Sequence, residues 1–420
     1  MDERKRSRRD FLQNVIITLL SLSAVFLFTR TQIYNLGEQR YSELFSPTAV
    51  QSDMTVSQQP TGLRTPLRLA VSGPYGRYAV ITLRTDDESF DVPGRLLGEA
   101  IGSAKTYIPC DEQDFLSALD GTSVYYDFLH PLPLSLVAGL VGSSSEEDVN
   151  ARALTVSAAD GDLYLWDGAE EYRRYTTAVT PESLDSVVNR YELGNAVFAM
   201  DGINGKELES IAPYALFLQE EPVLPVLTER ISAFDADRLL QTMQFNPNTH
   251  SRYTESTGTE VVVENGRTLR IHTDGSIVYR SGGDATLTVE AGENSALPEL
   301  AAGCGALLQK LTASAEGQSS LYLEQVQKTG EQVTLVYGYE AGGVPVRFSD
   351  GGHAATVTLS GTAVTALELR LRSYVETGEE SSVLPLRQAA AIAERYEETE
   401  LFIGYAGDGT GRVSVHWLAE

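Results

Sequence analysis

Apolar positions along this chain recur in two periods, and the two alternate from about residue 66 onward. Leu97, Ala100, Ile101 and Ala104 stand at i, i+3, i+4 and i+7, one face of a helix. Thr180 followed by Pro181 reads as an N-cap and first helical position, ahead of Leu184, Val187, Val188 and Tyr191. Asp235 caps a third helix, with Ala236, Leu239, Leu240 and Met243 inward and Asn246-Pro247 as its stop. Further helices are predicted near Leu297–Leu311 and, after Pro385, through Ala389, Ile392, Ala393 and Tyr396. Between them lie period-two runs: Leu67–Val71, Tyr78–Leu83, Val124–Leu129, Leu154–Ser157, Leu163–Trp166 and Ala215–Leu218. Later come Val261–Glu264 and Arg267–Ile271, which flank Asn265-Gly266, a type I′ hairpin signal. Ser276–Tyr279, Leu321–Val326, Val333–Tyr339, Thr356–Leu359, Leu367–Leu371, Leu401–Tyr405 and Val413–Trp417 complete the strand set.

The first residues follow neither pattern. Phe11 to Phe28 is an 18-residue run without charge, about 27 Å as a helix and close to a bilayer's hydrocarbon core. Residues 1–10 before it hold five bases (Arg4, Lys5, Arg6, Arg8, Arg9) and three acids (Asp2, Glu3, Asp10). The basic side stays in the cytoplasm by the positive-inside rule. Thr-Arg-Thr-Gln-Ile-Tyr follows Phe28, with no small-residue cleavage site, so the run reads as an uncleaved anchor rather than a signal peptide. Gln13, Asn14, Ser21, Ser23 and Ala24 are its candidates for contact with a partner helix. The alternative is that Gln13 and Asn14 lie at the interface and the serines are tolerated.

The sequence therefore predicts an α+β protein, a single transmembrane helix followed by two or three extracytoplasmic domains of helices packed on antiparallel sheets. The ranges are a basic stub (1–10), an anchor (11–29), a polar stalk (30–65), an N-terminal α+β domain (66–228), a helix-plus-meander domain (229–290) and a C-terminal domain (291–420). Pro222 and Pro225 mark the first boundary between folded parts.

Charge sharpens the picture. The 420 residues hold 32 bases and 58 acids, a net −26; with the stub at +2, the rest carries −28. Such a body is a poor nucleic-acid binder, since phosphate neutralisation needs clustered Lys and Arg. Two cysteines, Cys110 and Cys304, give no disulfide framework and read as free thiols, the alternatives being that they pair outside the membrane or that either is a nucleophile. His130, His250, His272, His353 and His416 show no metal-ligand spacing. Asp160, Asp162, Asp167, Glu170 and Glu171 form an acidic patch that could hold Ca²⁺ but lacks EF-hand spacing, and it reads as a solvated turn. Gly407-Asp-Gly-Thr-Gly411 lacks the ending of a phosphate loop and reads as a hairpin turn. The sequence assigns no catalytic, cofactor or metal-ligating residue.

Several segments carry a family resemblance: Phe234-Asp-Ala-Asp-Arg-Leu-Leu240, Phe245-Asn-Pro-Asn248, Thr268-Leu-Arg-Ile271, Asp274-Gly-Ser-Ile-Val-Tyr279, Leu335-Val-Tyr-Gly-Tyr339, Val344-Pro-Val346, the helix at Leu384–Tyr396, and Phe402-Ile-Gly-Tyr405 leading to Trp417. Together they resemble the YycH/YycI family, membrane-anchored regulators of a cell-wall sensor histidine kinase in Gram-positive bacteria. The likeness covers residues 230–420 and the anchor, with PepSY-like modules in the C-terminal half. It implies a non-enzymatic accessory regulator whose partners are a sensor histidine kinase and a paralogous regulator, without a cofactor. The alternative is a cell-envelope binding or assembly module tethered to the membrane.

Overall fold

The computed structural model describes residues 64–419 except 74–76, 202–210, 219–220, 283–286, 293–294, 314–318 and 394–400. The run Phe11–Phe28, with Gln13, Asn14, Ser21, Ser23 and Ala24, lies outside the described residues, as do the stalk up to residue 63 and Tyr396. No helix among the described residues is long and apolar enough to cross a membrane.

The first sheet has nine strands: β1 (Pro66–Gly73), β2 (Arg77–Arg84), β3 (Tyr107–Pro109), β4 (Ser123–Pro133), β5 (Asn150–Ser157), β6 (Leu163–Trp166), β7 (Tyr172–Tyr175), β8 (Ala196–Phe198) and β9 (Leu216–Leu218). Their order is β3-β7-β6-β5-β4-β1-β2-β8-β9. Alternation in β1 sends Leu67, Leu69 and Val71 to one face and Ala70 to the other, and both faces are buried. Helices α1 (Asp91–Ser103) and α4 (Pro181–Val188) cover the first face with Leu97, Ala100, Ile101, Leu184 and Val187. Helix α2 (Glu112–Asp120) covers the second with Phe115, Ala118 and Leu119. The apolar stretch after β4 becomes the short buried helix α3 (Leu134–Leu140).

The second sheet has thirteen strands: β10 (Val223–Ile231), β11 (Ser251–Thr254), β12 (Glu260–Glu264), β13 (Arg267–Ile271), β14 (Ser276–Ser281), β15 (Ser319–Thr329), β16 (Gln332–Ala341), β17 (Val344–Arg347), β18 (Ala355–Ser360), β19 (Ala363–Arg370), β20 (Arg372–Ser382), β21 (Leu401–Gly407) and β22 (Arg412–Ala419). The order is β11-β12-β13-β14-β19-β18-β16-β17-β21-β22-β10-β20, with β15 paired to β16. Pairing is antiparallel except that β17 runs parallel to β21. Helices α5 (Ala236–Thr242) and α6 (Leu297–Thr312) pack on it, and α7 (Leu386–Ala393) precedes the final hairpin.

The expected helix-on-sheet class is corrected by this architecture. Antiparallel strand dominates, with 22 strands against seven α-helices among the described residues, gathered into two large sheets. The helices foreseen from periodicity are present, but strand also forms where composition hid it. Pro225, read as a boundary, lies inside β10, where the register with β20 shifts between Pro225 and Leu227. A bulge is where a sheet tolerates proline. β20 is rich in exposed Glu and lacks an apolar stripe along its second half, so pairing with β10 makes it a strand, not its own pattern.

The two sheets share a core. One apolar cluster runs from Leu67 and Leu134 through Leu300 and Leu307 to Leu335 and Leu367. Helices α3 and α6 meet at Gly139, where a Cβ would sit 2.7 Å from Pro298. On another side, Phe217 of β9 meets Trp417 of β22 edge-on, ring centroids 5.8 Å apart. The described residues fall within one compact unit.

Candidate functional site

Two strands that face each other across the junction of the sheets are both irregular at the same place. In β4 the register slips between Asp127 and Leu132, and Leu129 takes φ +64°, a left-handed conformation rare for a branched side chain. In β15 it slips between Leu323 and Gln325, at Glu324. Bulges re-aim side chains and concentrate beside functional sites. Here they bring His130 and Glu324 into one cleft.

Glu324 is buried and accepts hydrogen bonds from Tyr322 Oη (2.8 Å), His353 Nδ1 (3.1 Å) and Arg347 Nη1. Its room is made by Gly338 on the paired strand: a Cβ there would lie 2.7 Å from the Glu324 Cδ and 2.9 Å from the Tyr322 ring. Burial works against the charge of Glu324. The His353 hydrogen bond, the Arg347 charge and the Tyr322 hydroxyl outweigh it and bring the carboxyl down to about 2. Reciprocally, the hydrogen bond to Glu324 raises His353 above its ordinary value of 6.5, against partial burial. Arg347 Nη2 donates to His130 Nε2 at 3.0 Å, so that nitrogen carries a lone pair in this arrangement. The His130 ring stacks near Tyr322 at a centroid distance of 6.5 Å.

Behind the bulge, Asp127 is buried between Arg68 (Nε 2.7 Å) and Arg152, and it accepts from the Leu129 N–H at 2.9 Å. Three polar bridges thus span the sheets. Arg347 reaches His130, Arg68 Nη1 reaches the Leu401 carbonyl (3.4 Å), and Arg84 of β2 faces the buried Glu340 of β16 (3.6 Å). Glu340 also accepts from Ser320 Oγ and from the Gly343 N–H.

The cleft has a volume of about 540 Å³ and lies between Asn150, Pro131 and His130 on one side and Gln325, Arg347 and His353 on the other. Phe348, Val326, Gly351 and Gly352 complete it. It offers a guanidinium, two imidazoles and side-chain amides, with one carboxylate that is already engaged. Its donors are arranged around a neutralised charge.

The other residues singled out in the sequence stay apart. His250 Nδ1 meets the Asn246 carbonyl (2.8 Å), His272 meets Thr259 (3.3 Å) and His416 meets Ser414 (3.0 Å). Cys110 and Cys304 are both free thiols. Burial, with Asp114 and Asp111 adding to it, pushes the Cys110 thiol up to about 11, and burial pushes Cys304 up as well. In the acidic patch Arg174 takes the cation's place, bonded to Asp162 (2.7 Å) and Asp160 (2.9 Å). Asp167 instead accepts from the Ala169 and Glu171 N–H groups. Among the described residues no cluster of His, Cys, Asp and Glu could hold a metal ion. The Gly407–Gly411 segment joins β21 to β22 as a turn.

Sequence reading missed the cleft because His130 and Arg347 lie 217 positions apart. Two signals were there to be read: Pro131 and Pro133 inside an otherwise apolar strand, and Glu324 directly after Tyr322-Leu323. The chain matches no family model, no curated protein and no solved structure.

Proposed function

We propose that this chain is a membrane-anchored extracytoplasmic accessory protein that regulates a sensor histidine kinase by contact. The observation that carries the reading is the asymmetry of the chain: a basic decapeptide, an uncharged run of 18 residues, then a body bearing −28. Residues 11–29 pack beside the kinase's membrane helices, with Gln13, Asn14, Ser21, Ser23 and Ala24 as the candidate contacts, and the body outside biases that packing. A paralogous regulator is a second partner of the same run. The body is suited to transmit force, because its sheets are locked by a shared core and by the polar bridges through Arg347, Arg68 and Arg84. A regulatory effect needs only about 1–3 kcal/mol of preference for one kinase conformation.

A second reading has its own support: the 540 Å³ cleft favours a tethered envelope-binding module. Replacing residues 11–29 with an unrelated transmembrane helix separates the two. Loss of kinase regulation by a correctly exported body is the expected outcome. Full regulation by the swapped chain overturns the contact mechanism and leaves the binding module.

A further inference from the structure

We propose that the cleft between the two sheets binds a carboxylate-bearing ligand, with Arg347 and His353 as its charged donors and Asn150 and Gln325 as its rim. The inference rests on the cleft being a recognition site and names the chemistry recognised.

Size comes first. A volume of about 540 Å³ lies within the roughly 300–1,000 Å³ of small-molecule sites. Sign comes second. Acids outnumber bases 58 to 32 in this chain, yet among the described residues lining the cleft Glu324 is the one carboxylate, beside a guanidinium and two imidazoles, and the neighbouring Asp350 is paired with Arg370. Glu324 is satisfied by Tyr322, His353 and Arg347. A cation entering the cleft therefore meets donors, and an anion meets an attractive wall.

Geometry selects among anions. His353 spends Nδ1 on Glu324, and its side chain is half exposed, so Nε2 is the nitrogen left for a ligand. Arg347 is held by Glu324 and His130 and remains a quarter exposed. A guanidinium held in one plane matches the two oxygens of a carboxylate. Gly351, with open space where a side chain would stand, leaves that wall free for close approach. Phe348, Pro131 and Val326 supply an apolar floor for the rest of the molecule. Glu324 is the positioning residue: it fixes the rotamers of Arg347 and His353 and keeps the guanidinium from being an uncompensated charge when the cleft is empty.

Binding should also depend on pH. The groups facing His353 are Glu324 from β15, Arg347 from β17 and Arg370 from β19. Glu324 holds the imidazole's proton above the ordinary histidine range, and its loss at alkaline pH removes one charged donor.

The test uses the full-length chain in detergent, titrated calorimetrically with an N-acetylated dipeptide bearing a free C-terminal carboxylate. The dipeptide's amide, acetate and inorganic phosphate are run alongside. The expected result is saturable binding of the acid near about 1 mM, at least about tenfold weaker for the amide, and tighter at pH 6 than at pH 8. Acetate binding as well points to free small acids, and binding of the dipeptide acid alone to peptide termini; both support the assignment. His353→Gln, at a half-exposed position, should remain folded, with a urea midpoint close to the parent's at pH 8 and lower at pH 6, and bind about tenfold more weakly at pH 6, with Arg347→Lys also weaker. Equal binding of acid and amide, preference for phosphate, no saturable binding, or a folded His353→Gln chain that binds like the parent overturns the proposal. None of these results bears on the anchor swap, so the two readings fail separately.

Discussion

Glu324 owes its position to a side chain that is missing. Gly338 leaves the space its carboxylate fills, and any Cβ there must displace buried atoms on both Glu324 and Tyr322. Gly338→Ala should destabilise the protein by about 1–3 kcal/mol, measured by urea unfolding. The charges on either side of that carboxylate respond to pH in opposite senses. Glu324 has a folded pKa of about 2, below its ordinary 4.5. Its contribution is therefore complete above pH 4.5, fades as pH falls toward 2, and amounts to on the order of 3 kcal/mol. His353 is raised, so its contribution is present below pH 6.5 and is lost as pH rises through the folded value. Urea midpoints measured across pH should show both slopes in the parent chain. Glu324→Gln should flatten both, since each group shifts the other. A variant that keeps the acid slope would remove Glu324 as its source.

At the scale of elements, local chemistry was legible where the chain caps or turns on itself. Thr180 accepts from the Ser183 N–H, and Asp235 accepts from the Asp237 and Arg238 N–H groups, as N-caps do. Asn265 and Gly266 take φ +46° and +77°, as a type I′ turn requires. Asp235→Ala should cost about 0.5–2 kcal/mol of stability, read as a lower urea midpoint. Elements defined by partners rather than by their own pattern were not legible. β10 and β20 hold each other in register across a bulge, and neither carries a continuous period of two. The cleft is hidden for the same reason, since Glu324 comes from β15, Arg347 from β17, His353 from the loop before β18, and His130 from the other sheet. The ends of the sheets show how such strands are kept from pairing further. β3 contains Pro109, β9 and β11 are short, and β20 carries Glu376, Glu379 and Glu380.

At the scale of the whole molecule, the junction between the sheets decides how the body behaves. Phe217 against Trp417, Gly139 against Pro298 and the polar bridges through Arg68, Arg84 and Arg347 tie both sheets together. Both should unfold in one transition, with tryptophan fluorescence and far-UV circular dichroism coincident in urea. Trp417→Ala should lower the common midpoint, costing about 1–3 kcal/mol for a half-buried ring, rather than split the transition. In the proposed contact mechanism, a body of this kind passes a bias from its surface to the anchor. Photocrosslinking in native membranes tests that most directly, with the probe placed in turn at Gln13, Asn14, Ser21, Ser23 and Ala24 of the full-length chain. Regulation by contact predicts adducts with the membrane helices of a sensor histidine kinase from at least one of these positions. A membrane-bound chain that yields no kinase adduct from any of these positions would contradict it.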